Sequence, residues 1–260
     1  MKLEDKNKII NKLTGSAVQT NPYFHMEIDD FLPVDLAKNL ASDFLPYNDE
    51  KWFSYFNQIE DKKLLSDWRQ FPKETYQLFS FLNSPLMLET LSNMVGVQLY
   101  PDHGLHGGGW HIHARGGKLN PHLDYSLHPQ LGLQRKLNLI IYLCEDWEES
   151  YGGHFGIWNS NPDGTANKLE KEISMGFNKA VLFDTTQNSW HGMSKSVTCP
   201  EGKYRKSLAV YYLTEPVGDV DTRSRALFTP TEEQIGDTEI EELIAKRSDI
   251  KTAKEVYIND

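Results

Sequence analysis

Eight of the nine histidines lie between His103 and His191, about a third of the chain, where an even scatter would put about three. Inside this block, Pro121-His122-Leu123-Asp124 sets an imidazole and a carboxylate two positions apart. On a strand, such residues share a face. His191 comes much later, directly after the β-type run KAVLFDT (179–185). A second histidine from a neighbouring strand, added to His122 and Asp124, makes a three-donor face that leaves three positions of an octahedral metal open. That is the donor set of non-haem Fe(II) sites. A lone H-x-D occurs by chance in many chains, and an isolated histidine usually serves packing. The run after His191 adds weight. Arg205-Lys206-Ser207 opens it, and Arg205, Ser207, Ala209 and Tyr211 share one of its faces. An arginine fork matches a carboxylate, a serine hydroxyl adds a bond, and the small Ala209 leaves room for a ligand. Read alone, Arg205 also fits an edge-strand arginine in a surface ion pair.

The elements that must position these groups are short β-type runs. From Val97 to Leu213 they are separated by Gly, Asn, Asp and Pro, the clearest being 136–144, 154–159, 179–185 and 205–214. In the run 136–144, Leu137, Leu139, Ile141 and Leu143 form an apolar face, opposed by Lys136, Asn138, Ile140 and Tyr142. Such a strand packs helices outside and lines a wet cavity inside, which makes Asn138 and Tyr142 cavity candidates; a plain core tyrosine is the competing reading. Trp110, His111 and His113 precede the H-x-D segment and are candidate substrate-cavity residues, although alternation puts the two histidines on one face and Trp110 on the other. Gly107-Gly108-Gly109 reads as a flexible turn, and the aromatic stretch from Trp52 to Trp68 reads as packing against the core rather than as a lid.

Strands at this density without intervening helices suggest an antiparallel sandwich or jelly roll. The N-terminal third reads as helical: Pro33 starts one helix, 73–83 forms another, and a third runs over 84–95 with Ser84 as cap, Pro85 at its first position and Gly96 closing it. Thr229-Pro230-Thr231-Glu232 fits a capping box opening a C-terminal helix. The expected division is a mainly helical region over 1–96 packing on the core, a β core over 97–215 and an acidic helical extension over 216–260, all in one compact domain.

Composition narrows the class. Hydrophobic residues make up 39% and charged residues 25%, ordinary for a globular chain of 260 residues. The net charge of −10 disfavours a nucleic-acid partner. From Glu215 onward twelve acids face six bases, so the tail reads as a solvated surface. The longest apolar run, Leu139 to Cys144, is six residues, too short to cross a membrane. With two cysteines and a charged N-terminus, the expected location is the cytoplasm.

The ordered set H-L-D (122–124), R-K-L-N-L-I-I-Y-L (135–143), W-x-x-x-Y-G-G (147–153), N-K-A-V-L-F (178–183), W-H-G (190–192) and R-K-S (205–207) resembles the Fe(II)/2-oxoglutarate-dependent oxygenases, in particular their prolyl-4-hydroxylase-like branch. The likeness covers roughly residues 97–215, with a weaker echo at 21–33. The resemblance implies a double-stranded β-helix (jelly roll) core, mainly β with flanking helices. It implies iron held by His122, Asp124 and His191, and the distal carboxylate of 2-oxoglutarate held by Arg205 with Tyr142 and Ser207. It further implies O2-dependent hydroxylation of a C–H bond, with succinate and CO2 released. Halogenases of this kind lack the carboxylate that Asp124 provides, which favours hydroxylation. One departure bears on substrate: animal prolyl hydroxylases often place a lysine nearer the distal histidine, whereas Arg205 lies fourteen positions after His191. A small molecule, an amino-acid derivative or a peptidyl residue is the expected substrate. Two alternatives use the same fold: a cupin-type metal-dependent isomerase or hydrolase, and a sugar-binding jelly-roll module without catalysis.

Overall fold

A computed structural model describes residues 1–257 except 187, 219 and 224. In chain order the first strands are β1 (His25–Ile28), β2 (Phe53–Phe56), β3 (Glu60–Leu65), β4 (Tyr100–Pro101), β5 (Gly109–His113), β6 (Lys118–Leu119) and β7 (His122–Leu123). They are followed by β8 (Gln134–Leu143), β9 (Phe155–Ser160), β10 (Ala166–Ile173), β11 (Phe177–Asp184), β12 (His191–Met193), β13 (Arg205–Thr214) and β14 (Leu227–Phe228). The helices are α1 (Leu3–Gly15), α2 (Val34–Ser42), α3 (Lys73–Leu82), α4 (Pro85–Val95) and α5 (Thr238–Ser248).

Two antiparallel sheets form the jelly-roll core. The larger has the order β1-β11-β8-β13-β5-β3-β2, with β4 on β13 and β6 on β3; the smaller runs β10-β9-β12-β7-β14. Alternation on β8 sorts its side chains as its pattern requires. Leu137, Leu139, Ile141 and Leu143 join a buried cluster with Leu40, Leu78 and Leu82 of the helices. Asn138, Ile140 and Tyr142 turn to the cavity between the sheets. Each fully buried leucine of that outer layer contributes roughly 1.5–3 kcal/mol, so the helices hold the back of the larger sheet firmly.

The first 96 residues hold four helices, but they also supply β1, β2 and β3 to the larger sheet. Pro33 takes the N-cap of α2 rather than its first turn. Ser84 occupies the N-cap of α4 without a capping hydrogen bond, and Gly96 closes that helix at φ +71°. At the other end, Thr231 caps only a single 3₁₀ turn, Glu232–Gln234, with Gln234 Oε1 accepting from its N–H at 3.0 Å. Gly236 at φ +82° interrupts the turn. The helix starts afresh at α5, where Asp237 accepts from Glu239 and Ile240 N–H. The acidic tail is also not all solvated surface: Ile240 packs with Ile59 and Phe228, and Arg247 is buried. Among the described residues, no helix is long and apolar enough to cross a membrane.

Candidate active site

His122 and His191 are direct partners across β7 and β12, and Asp124 follows β7 immediately. Their donor atoms lie within 4.8 Å of one another, and all three residues are buried. The histidine Nδ1–H groups donate to Asn120 O at 2.9 Å and to Ser189 O at 2.8 Å. Since a carbonyl can only accept, each Nδ1 carries the hydrogen and each Nε2 keeps its lone pair, the tautomer a metal needs. The Nε2 atoms stand 3.8 Å and 3.7 Å from the two Asp124 oxygens. Aromatic rings fix the imidazoles: Phe228 stacks on His122 at 5.1 Å, and Phe183 lies 4.6 Å from His191.

Burial pushes both imidazoles below their ordinary pKa. For Asp124, burial works toward a higher value, but Arg135, then His191 and His122, outweigh it and hold the carboxyl low. Two neutral imidazoles and one carboxylate result. Asp124 Oδ2 is buried with no hydrogen-bond partner, so the cluster fits a divalent cation. Packed core histidines, as a mere sugar-binding module requires, would not converge three donors in this way.

Arg205 opens β13 beside this cluster. Its Nε donates to Gly153 O at 2.8 Å and touches Met175 Sδ at 2.9 Å, while its guanidinium carbon lies 5.0 Å from the Tyr142 ring centroid. Gly153 has φ +69°, and a Cβ there would lie 3.1 Å from Arg205 Cδ. The YGG segment therefore seats the arginine. The Tyr142 hydroxyl is buried without a partner, and burial pushes its pKa up to about 12. Ser207 is the cross-strand partner of both Tyr142 and His111. Asn138 faces the same cavity with its Oδ1 unpartnered. A carboxylate would accept from the Tyr142 hydroxyl and the Arg205 guanidinium, whereas Asn138 Oδ1 calls for a donor.

The cavity holds about 340 Å³, at the lower end of small-molecule sites. His111 and His113 line it, with His111 Nε2 and both His113 nitrogens unpartnered. Trp110 does not line it. Alternation turns its indole to the opposite side of β5, where it stacks on Phe44 at 4.8 Å and meets Phe71 at 5.1 Å. The aromatic stretch divides similarly: Trp52 packs beneath Trp110, whereas Tyr55 lines the cavity. The triglycine is fixed by close contacts rather than flexible, since a Cβ on Gly109 would meet Leu65 O at 2.2 Å.

Several further residues line the cavity. Arg135 is clamped between Tyr125 and Tyr211, its Cζ 3.4 Å and 3.3 Å from their ring centroids. Its Nη1 approaches Asp124 Oδ1 to 3.4 Å, and the Tyr211 hydroxyl donates to the same oxygen at 3.3 Å. Parity with Leu137 would send Arg135 to the outer face. A register shift in the β8–β13 pairing between Tyr212 and Leu213 turns it inward. Tyr211 carried a signal, sharing the face of Arg205. Glu60 and Lys62 come from β3; Arg225 and Arg247 come from the C-terminal segment, and no motif marks them. Arg247 Nε donates to Glu60 Oε1 at 2.7 Å, and the Tyr257 hydroxyl donates to the same oxygen.

A family model described as the 2OG-Fe(II) oxygenase superfamily matches residues 108–213. Over 78 residues the chain is 26% identical to the prolyl 3-hydroxylase OGFOD1 of Xenopus laevis, covering 30% of this chain and 15% of that protein. The chain thus spans a small part of that curated relative. A Pseudomonas putida prolyl-4-hydroxylase superposes with a TM-score of 0.51 at 16% identity, over 82% of this chain and 100% of that one. A Trichoplax adhaerens prolyl hydroxylase, in complex with a hypoxia inducible factor peptide fragment, gives 0.51 and 16%, over 80% and 89%. At these identities the structures speak for the fold. The matched segment contains His122, Asp124, Tyr142, His191 and Arg205, but neither β3 nor anything beyond β13.

Proposed function

We propose that this chain is a 2-oxoglutarate-dependent hydroxylase using Fe(II), 2-oxoglutarate and O2, a reading supported by the match of residues 108–213 to the 2OG-Fe(II) oxygenase superfamily and by the three-donor cluster. His122 Nε2, His191 Nε2 and the Asp124 carboxylate hold the iron. Arg205 and the Tyr142 hydroxyl hold the distal carboxylate of 2-oxoglutarate, with Ser207 beside them. The carrying observation is that three convergent metal donors share one buried cavity with an arginine whose neighbouring tyrosine hydroxyl has no partner.

Once bound, iron with its co-substrate supplies oxidative decarboxylation to succinate and CO2 and the insertion of one oxygen atom into a C–H bond. The chain's own residues orient and exclude. Asn120 O and Ser189 O lock the imidazole tautomers. Arg135 and Tyr211 hold Asp124 in place. Phe155, Phe183 and Phe228 keep water from the histidine rings, and a dry, fixed geometry is what brings a C–H bond within reach. Neither a cupin-type isomerase nor a hydrolase needs the Arg205–Tyr142 pair.

The substrate is a small molecule or amino-acid derivative, with a peptidyl residue as the second reading because the Xenopus relative is named a prolyl 3-hydroxylase. Incubating the protein with Fe(II), 2-oxoglutarate and a cell extract tests both parts. Fe(II)-dependent succinate formation supports the activity, and none refutes it. A gain of one oxygen in the metabolite fraction supports the substrate reading; a gain confined to proteins reverses it.

A further inference from the structure

The cavity wall carries more positive charge than its carboxylates answer. Five lining side chains are cationic, namely Lys62, Arg135, Arg205, Arg225 and Arg247, against Glu60 and Asp124, a surplus of five minus two, or three. The chain as a whole is at −10, so this excess is local. Iron adds two positive charges and 2-oxoglutarate two negative ones, so loading the site leaves the surplus standing.

Three of the five cations already have tasks. Arg135 lies against Asp124, Arg205 serves the co-substrate, and Arg247 Nε binds Glu60. Glu60 is one carboxylate facing two cations, because Lys62 Nζ also points at it, from 3.7 Å, beyond hydrogen-bonding reach. Arg247 Nη1 is buried with no partner. Among the described residues, no ion pair engages Arg225, which lines the cavity just ahead of β14.

Strand register separates this charge from the co-substrate end. Lys63 pairs with Ile112, which puts Lys62 beside His113, and His113 in turn pairs with Arg205. Lys62 and Arg205 are therefore two strand spacings apart, roughly 10 Å.

We propose that the substrate carries an anionic oxygen group, a carboxylate or a phosphate, held by Lys62 and Arg225 with the unpartnered Nη1 of Arg247. This deepens the proposed function and rests on it. The second cationic pole comes entirely from segments outside residues 108–213, β3 on one side and the C-terminal segment on the other. The iron chemistry belongs to the matched core, and substrate choice belongs to what is added around it.

The test uses the protein loaded anaerobically with Fe(II) and 2-oxoglutarate, whose visible charge-transfer band reports an intact co-substrate site. Two matched probe pairs are titrated by calorimetry: glycerol 3-phosphate against glycerol, and N-acetyl-L-alanine against N-acetyl-L-alaninamide. The anionic member of at least one pair should bind at least about tenfold tighter than its neutral twin, with the band retained; which pair responds separates phosphate from carboxylate. Lys62→Met and Arg225→Gln should each weaken that binding severalfold without changing the band, and Lys62→Arg should restore most of it. The proposal falls if neutral twins bind as well or no anion binds. It falls equally if the anion abolishes the band by displacing 2-oxoglutarate, or if both variants bind like the original. Absence of the band before any probe is added would instead refute the proposed function.

Discussion

Arg205 and Tyr142 stand on adjacent strands of one sheet, β13 and β8, backed by helices and seated by Gly153. Lys62 and Arg247, at the other end of the cavity, come from β3 and α5 and meet at Glu60. The first end is rigid because neighbouring strands fix it. The second exists only while the C-terminal segment is docked on β3 and β7. Burial alone would raise the Glu60 pKa, but Arg247 and then Lys62 hold it low, so a buried carboxylate is the anchor of that docking. The difference teaches a division of labour: one end can change without disturbing the other.

The largest expected effect lies on the metal side. His191→Ala should abolish succinate formation and drop iron retained in equilibrium dialysis to background, whereas Lys62→Met should keep its iron. Undiminished iron in the histidine variant would break the comparison. Arg135→Met comes next. It leaves Asp124 buried without its main counter-charge, a loss of about 3–5 kcal/mol for broken buried pairs. Bound Fe(II) supplies positive charge to the same carboxylate, so chemical denaturation should show a smaller loss with metal than without. Equal losses would mean that Arg135 does not balance Asp124.

Arg205→Ala should weaken 2-oxoglutarate at least about tenfold, from a charge-assisted pairing of about 1.5–3 kcal/mol. Iron should still bind, lysine should restore only part of the affinity, and the loss should fall in KM more than in kcat. An unchanged KM would hand the carboxylate to another base. The pH dependence is read in stability rather than in affinity. Burial, then Lys62 and Arg205, push His111 down to about 3, and burial pushes His113 well down too. Below pH about 6.5 the unfolded chain takes up protons that these folded imidazoles refuse. Stability is therefore full above that pH and lost as pH falls toward the lower folded values, by up to about 1.4 kcal/mol per unit for each group. Denaturation midpoints between pH 7 and 5 should show the decline, and replacing both histidines with asparagine should flatten it. The smallest effect is Gly153→Ala, where φ +69° costs a side chain about 1–2 kcal/mol. Thermal unfolding that matches the original would show that Arg205 has room to spare.

Particular residues show why one end was legible and the other was not. His122, Asp124 and the inward rows of β8 and β13 obey a period of two, and that period is readable in any strand. The same rule placed Trp110 opposite His111 and His113, and the indole accordingly packs against Phe44. Arg135 breaks the rule because a bulge reverses its facing. Glu60 and Arg247 meet only through tertiary docking across 187 positions, so neither their spacing nor their neighbours announce the pair. The three strands in the N-terminal third are hidden for a related reason. Each is four to six residues long and lies among helices, and only its partner in the larger sheet makes it a strand.

The central claim is that one iron and one 2-oxoglutarate share the cavity between His191 and Arg205. Anaerobic addition of Fe(II) and then 2-oxoglutarate, monitored in the visible range, measures it directly. A charge-transfer band should grow to saturation at one equivalent of iron, be absent in His191→Ala, and require at least about tenfold more 2-oxoglutarate in Arg205→Ala. No band in the unaltered protein, or the same titration curve in all three, would contradict it.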